Sequence, residues 1–287
     1  MPLAYYSRAA TEEFWSEHWG AQEPEGLVRI ARLSPLTALI EEALPRSGRI
    51  LEAGCGLGQY VVLLRERGYG AVGADWSLDA LLRCRKWAPA APVAVTDLAA
   101  LGFKDGAVAA YLSLGVVEHD PDGPDRILRE ADRVLAAGGR LILSVPYLNG
   151  VRRMFRPYLA RRQARLRRDG GQFYQYAFTR REVRAFLDTH GFRVLSLTPY
   201  DPARILRKAL GRFVRPPHHA LSPRGGEGFL NSSPLRGEDK GEGVRVRGKG
   251  KDEGEAGTLT RAVRRLLYTG PALWLLGHMI LAVAVKR

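Results

Sequence analysis

Between residues 49 and 146, short apolar runs alternate with amphipathic stretches of helical period. Arg49 to Ala53, Ala71 to Ala74, Val93 to Val95, Val108 to Leu114 and Arg140 to Val145 have the length and apolarity of buried strands. Between them, Gln59 to Arg67, Leu78 to Trp87 and Pro124 to Ala136 place apolar residues at helical spacing, with Gly138-Gly139 as a helix stop. Runs this apolar, separated by helices, predict an α/β fold with a mostly parallel sheet covered on both faces. A helix from Thr179 to Thr189 follows, opened by the capping-box pair Thr179 and Glu182 and stopped at Gly191, and Phe192 to Thr198 is a sixth strand.

The flanking segments read differently. Residues 1–45 form a predicted helical, aromatic cap before the core of residues 46–200. Phe14, Trp15 and Trp19 stand at helical spacing there, as either a core stripe or a lid over a ligand site, and Leu27 to Leu44 is a second helix interrupted at Pro35. Within the core, residues 147–178 are an insert in which Val151 to Arg168 reads as one helix, with Met154, Phe155, Tyr158, Leu159 and Leu166 toward one face and arginines around the rest. Residues 201–277 read as an insertion containing a Gly-rich linker, 216–257, that has too little apolar surface to order and carries no chemistry. Leu266 to Val285 is apolar except for His278 and is long enough for a bilayer span, but Gly270-Pro271 and Gly277 divide it. Its last piece, within 278–287, is expected to be a buried final strand.

Composition sharpens two points. The 287 residues carry a net charge of +14, which points to a polyanion, an anionic membrane or an acidic substrate. Eleven arginines against Asp169 and Glu182 put +9 of that charge between residues 152 and 184, so the basicity belongs to the insert and its flank. Two cysteines do not make a disulfide framework, and Met1 to Gly20 has no apolar run of signal-peptide type, so a cytoplasmic protein is expected. The six histidines show no metal-ligand spacing, and no metal site is expected.

The candidate chemistry gathers at strand ends. Glu52-Ala53-Gly54-Cys55-Gly56-Leu57-Gly58 leads from strand into a turn with glycine at every second position, which lets a nucleotide-like ligand lie against the backbone. Its Gly-x-Gly-x-Gly spacing departs from the Gly-x-Gly-x-x-Gly of nicotinamide enzymes. Asp75 ends the second strand, 17 residues past Gly58, where a carboxylate accepts hydrogen bonds from both ribose hydroxyls, its alternative role being a helix cap. Trp76 packs either on adenine or ribose or in the core. Two further stations follow at Val95-Thr96-Asp97-Leu98 and at Ser113-Leu114-Gly115-Val116-Val117-Glu118-His119.

In this order the stations resemble class I S-adenosylmethionine-dependent methyltransferases, in the broad group related to the ubiquinone and menaquinone enzymes. The resemblance covers residues 48–146 closely, 172–200 more loosely and 278–287 as the last strand. It implies S-adenosylmethionine as cofactor and a Rossmann-like seven-stranded sheet whose final strand runs antiparallel between the fifth and sixth. It implies that Gly54, Cys55, Gly56 and Gly58 lie against the methionine part of the cofactor, with Glu52 near its amino-acid end. Asp97 is then placed beside the adenine amine, Leu98 as its apolar wall, and Leu114 and Gly115 as further cofactor contacts. His119 is a candidate general base or plain scaffold.

The insert occupies the place of a substrate lid, with Tyr147, Arg152, Arg153, Phe155, Tyr158 and Tyr174 as candidate contacts. The expected reaction is methyl transfer to a small or lipid-linked acceptor at oxygen or carbon, with peripheral contact to an anionic membrane. An RNA methyltransferase using the Arg-rich insert, and a non-catalytic cofactor-binding or membrane-associated scaffold, are the alternatives. Nucleic acid ranks below small molecules because no added RNA-binding module is present. No Asn-Pro-Pro-Tyr or Asp-Pro-Pro-Tyr follows the fourth strand, and neither Cys55 nor Cys84 stands in a Pro-Cys setting there, which argues against the usual methylation of base amines and of pyrimidine C5.

Overall fold

The computed structural model describes residues 1–202 and 266–287. The predicted linker 216–257 lies outside the described residues. Seven strands form one sheet in the order β4-β3-β2-β5-β6-β9-β8. Here β2 is Arg49–Ala53, β3 Gly70–Asp75, β4 Val93–Val95, β5 Val108–Leu114, β6 Leu135–Pro146, β8 Phe192–Tyr200 and β9 Met279–Lys286. The first five are mutually parallel, and β9 lies antiparallel between β6 and β8, as expected. Because β9 is interior, the segment weighed as a membrane span is instead a short helix, α10 (Gly270–Leu276), followed by this buried strand. No helix among the described residues is long and apolar enough to cross a membrane.

Two apolar layers cover the sheet. On one face α6 (Asp125–Val134) and α9 (Arg180–Thr189) bury Leu128, Val134, Val183 and Leu187 with Leu141, Leu143 and Ile280 of the sheet. On the other, α2 (Pro24–Leu33), α3 (Pro35–Ala43) and α4 (Gln59–Glu66) bury Ala31, Ile40, Tyr60 and Leu64 with Ile50, Leu112 and Ile142. The alternation of Leu141, Ile142 and Leu143 between the two clusters is the period-two signature of a strand buried on both sides. Local signals set several ends. The Ser77 hydroxyl accepts from Ala80 N–H at the start of α5 (Leu78–Trp87), and Thr179 and Glu182 form the reciprocal capping box of α9.

Three expectations are corrected. Leu3–Ser7 is not helical but a strand, β1, paired antiparallel with β7 (Gln172–Ala177) in a separate two-stranded sheet. Tyr6 meets Phe173 edge-on across that pair at 6.2 Å, a contact that helical spacing within the first segment cannot anticipate. The insert holds two helices, α7 (Gly150–Met154) and α8 (Arg156–Arg168), that part at Phe155, with Pro157 in the first turn of α8, where its missing N–H costs nothing. Gly138-Gly139 does not stop a helix: α6 ends at Val134, and the glycine pair lies inside the early part of β6, with Gly138 at φ 72°.

Candidate active site

The parallel strands β2, β3, β4 and β5 all end at the same edge of the sheet, and their C-terminal turns surround a cavity of about 550 Å³. Glu52, Gly54, Asp75, Trp76, Asp97, Leu98, Leu114, Gly115 and His119 line it. In the sequence these residues run from position 52 to position 119, and the crossovers bring them to one place. Helix α1 (Glu12–Gly20) closes one side with Trp15 and Trp19, while Asp120, Pro121 and Asp122 with Arg126 and Ile127 of α6 close another.

The glycine turn works by positive φ. Gly54, Gly56 and Gly58 stand at φ 81°, 51° and 73°, a region costly for residues with a Cβ. Three predicted contacts nevertheless do not reach the cavity. A Cβ on Gly56 would lie 2.5 Å from the Trp19 ring, so the indole covers that residue. A Cβ on Gly58 would meet Cys84 Sγ at 2.6 Å, toward α5. Cys55 is buried with Val61 and Leu81 beneath the turn, and burial pushes its thiol pKa well up.

Asp75 organises the turn. Its Oδ2 accepts from Gly56 N–H at 2.7 Å and its Oδ1 from Ser77 N–H at 2.9 Å. Each oxygen keeps a lone pair, and the side chain lines the cavity. Burial raises its pKa, and the bonds from Ser77 and Gly56 pull the other way. Glu52 Oε2 accepts from Val61 N–H at 3.0 Å, so one oxygen ties β2 to α4, and burial holds its pKa well above the ordinary carboxylate value. Asp97 is exposed, with Oδ1 accepting from Ala99 N–H at 2.8 Å and Oδ2 3.7 Å from Arg126. Trp76 is 48% exposed at the rim, which answers the core reading: the ring is free to stack.

His119 sits against aromatic rings, edge-on to Trp15 at 5.0 Å and to Tyr174 at 5.0 Å. Its Nδ1 lies 2.8 Å from the Tyr174 main-chain oxygen. A carbonyl only accepts, so Nδ1 carries the proton and Nε2 carries the lone pair. Burial drives the imidazole pKa down to about 4, so the ring is neutral at ordinary pH.

The predicted lid contacts are not at the cavity. Tyr147 is buried and meets Trp274 edge-on at 6.0 Å. Arg152 donates to the Tyr147 carbonyl at 2.8 Å and lies 2.6 Å from His278 Nδ1, joining the insert to the entry of β9. Arg153, Phe155 and Tyr158 are on the outer surface, and Tyr174 packs behind His119. The cause is the β1–β7 pair, which fastens the insert to the N-terminal strand and leaves α1 to cover the cavity. Of the N-terminal aromatics, Trp15 and Trp19 line the cavity, Trp19 also packing on Leu27, Leu57 and Ala80, while Phe14 packs on Trp15 and Tyr174. The linings Gln59, Asp120, Asp122 and Arg126 were not anticipated. Position carried the only signal: Gln59 follows the last turn glycine, and Asp120 follows His119.

The donor set suits a nucleoside with a charged amino-acid arm. Asp75 and Asp97 offer acceptors to hydroxyl and amine donors, Leu98 and Trp76 offer apolar surface, and Gln59 Oε1 is buried with no partner among the described residues.

Residues 51–143 match the family model described as a methyltransferase domain. Fold and match agree on a class: residues 51–143 carry a methyltransferase domain on the Rossmann-like fold of class I S-adenosylmethionine-dependent methyltransferases, and S-adenosylmethionine is the cofactor that this domain uses. No curated protein matches the sequence. Among solved structures, the chain is similar to a SAM-dependent methyltransferase from Archaeoglobus fulgidus, at 14% identity over 96% of this chain and 99% of that one, with a TM-score of 0.54. It is also similar to the complex of the Haloferax volcanii Trm112 methyltransferase activator and a methyltransferase, at 14% identity over 95% and 97% and a TM-score of 0.56. A third is the geranyl diphosphate C-methyltransferase from Streptomyces coelicolor A3(2), at 15% identity over 97% and 99% and a TM-score of 0.54. At these identities the likeness is one of fold.

Proposed function

We propose that the protein transfers the cofactor's methyl group to a small or lipid-linked acceptor, at oxygen or carbon, that reaches the cavity between α1 and the 120–122 turn. One observation carries the reading. The cavity combines carboxylates, Asp75 and Asp97, with aromatic rings, Trp15, Trp19 and His119, in one lining. Asp75 would hold the ribose, Asp97 the adenine amine, and Glu52 and Gln59 the amino-acid arm. When bound, the cofactor supplies an already activated methyl electrophile. The protein's task is then to hold the acceptor about 3 to 3.5 Å away and aligned, and to exclude water. His119 Nε2 faces this task as a neutral hydrogen-bond acceptor. With its pKa held at about 4, it would orient an acceptor hydroxyl and pass the proton released on methyl transfer to solvent rather than keep it.

The test is incubation with S-adenosylmethionine labelled in its methyl group, against a lipid extract, a soluble small-molecule extract and total RNA. Label in a small or lipid-linked product supports the proposal. Label confined to RNA supports the RNA reading instead, and cofactor binding without label in any pool supports a scaffold.

A further inference from the structure

The insert stands outside the cavity, and its surface has a composition of its own. Helix α8 turns a narrow stripe inward, half-buried Leu159 and buried Gln163 at i and i+4, with Gln163 Oε1 accepting from Tyr6 N–H of β1 at 2.9 Å. Beside it Phe155, Tyr158, Arg162 and Arg165 follow the i, i+3, i+7, i+10 spacing of one helical face. That face is exposed: Phe155 by 51% and Tyr158 by 64%, with Met154 of α7 next to it at 70%. Arg156 donates to the Met1 carbonyl and Arg167 covers the Tyr6 ring, so those two are turned toward β1. Arg153, Arg161, Arg162 and Arg168 are exposed, and Arg165 meets Asp169 at the surface at 3.6 Å.

A single exposed apolar side chain is ordinary, but three large neighbours on a strongly cationic element are not. A solvated basic helix has no reason to present Met154 and Phe155 to water. An RNA-binding helix would use the arginines and stack on Tyr158, and would leave the methionine unexplained. Apolar and aromatic side chains beside guanidinium groups are what a helix lying in a membrane interface presents, the former to the acyl boundary and the latter to lipid phosphate. With no spanning helix among the described residues, the contact implied by this face is peripheral.

We infer that the α7–α8 face docks on the surface of an anionic phospholipid bilayer, with Met154, Phe155 and Tyr158 at headgroup level and Arg161, Arg162 and Arg165 on lipid phosphates. The inference does not depend on which acceptor is methylated. The full chain is sedimented with vesicles of phosphatidylcholine alone and of phosphatidylcholine mixed with phosphatidylglycerol. Wild type is expected to bind the mixed vesicles, to bind neutral ones at least about tenfold more weakly, and to be released by salt. Phe155→Ser with Tyr158→Ser should weaken binding about tenfold. Arg161→Ala with Arg162→Ala and Arg165→Ala should weaken it on the order of a hundredfold. Both variants should keep the wild-type rise in melting temperature with S-adenosylhomocysteine, which controls for folding. Equal binding to the two vesicle types, or wild-type binding by either variant, overturns the inference. Retention on RNA that the arginine substitutions abolish, with vesicle binding unchanged, also overturns it and makes the face a nucleic-acid surface.

Discussion

The Nδ1–H of His119 donates to the main-chain oxygen of Tyr174 at 2.8 Å, which joins the turn after β5 to β7 at the wall of the cavity. The bond fixes the tautomer, and burial fixes the charge state, with the pKa at about 4. The folded chain therefore refuses a proton that the unfolded chain accepts near pH 6.5. Stability should fall as pH drops from about 6.5 toward 4, by on the order of 3 kcal/mol for this group. Burial also lowers the His18 pKa, which adds to the same slope. His119→Gln should flatten the dependence, read from denaturant midpoints at pH 7 and pH 5. An unchanged slope in that variant would show that the titration lies elsewhere.

Glu118, the preceding residue, should act in the opposite sense. It is wholly buried, its Oε2 has no partner among the described residues, and burial raises its pKa to about 8. The folded carboxyl keeps its proton where the unfolded one has lost it, so the stability it contributes is full below about pH 4.5 and is lost as pH rises through about 8. Glu118→Gln should gain on wild type by a few kcal/mol between pH 5 and pH 8.5. Parallel stability curves for the two proteins over that range would contradict the assignment.

Gly56 and Trp19 form a second testable pair. Gly56→Ala meets both a positive φ and the indole ring at 2.5 Å, so it should cost about 2 kcal/mol or more and weaken cofactor binding. Adding Trp19→Ala removes the ring contact but not the backbone strain. A double-mutant cycle on melting should then give a coupling of about 1 kcal/mol, whereas strict additivity would mean that the contact carries no energy.

What was legible in the sequence, and what was not, follows from how local each signal is. Leu78–Trp87 could be bounded because Ser77 caps it in place, and Asp75, Asp97 and Leu114-Gly115 could be aligned because each lies at or just past the end of its own strand. β1 could not be read, because Leu3–Ser7 acquires strand geometry only from β7, far along the chain. Helical period recovered α8 but not its direction: the same spacing of Phe155 and Tyr158 suits a lid or an outer surface, and the β1–β7 pair decides for the surface. Cys55 and Gly58 lie in the right motif yet turn their side-chain positions toward α5 and the core.

The last strand gives a sharper structural test. Ile280, Leu281, Ala282 and Ala284 are buried, and β9 hydrogen-bonds β6 and β8 on its two sides. A chain ended after Gly277 should lose cooperative melting, because it opens the middle of the sheet and exposes both apolar layers. A soluble truncated protein with a cooperative transition would contradict this.

In the proposed function Asp75 and Asp97 hold the nucleoside of the cofactor. Calorimetric titration of S-adenosylhomocysteine into wild type, Asp75→Asn and Asp97→Ala tests it most directly, because Asp97 is exposed and its loss should leave the ligand-free melting temperature nearly unchanged. Wild type should bind, each variant should bind at least about tenfold more weakly, and NAD should give no heat. Wild-type affinity in both variants, or binding of NAD in place of S-adenosylhomocysteine, would contradict it.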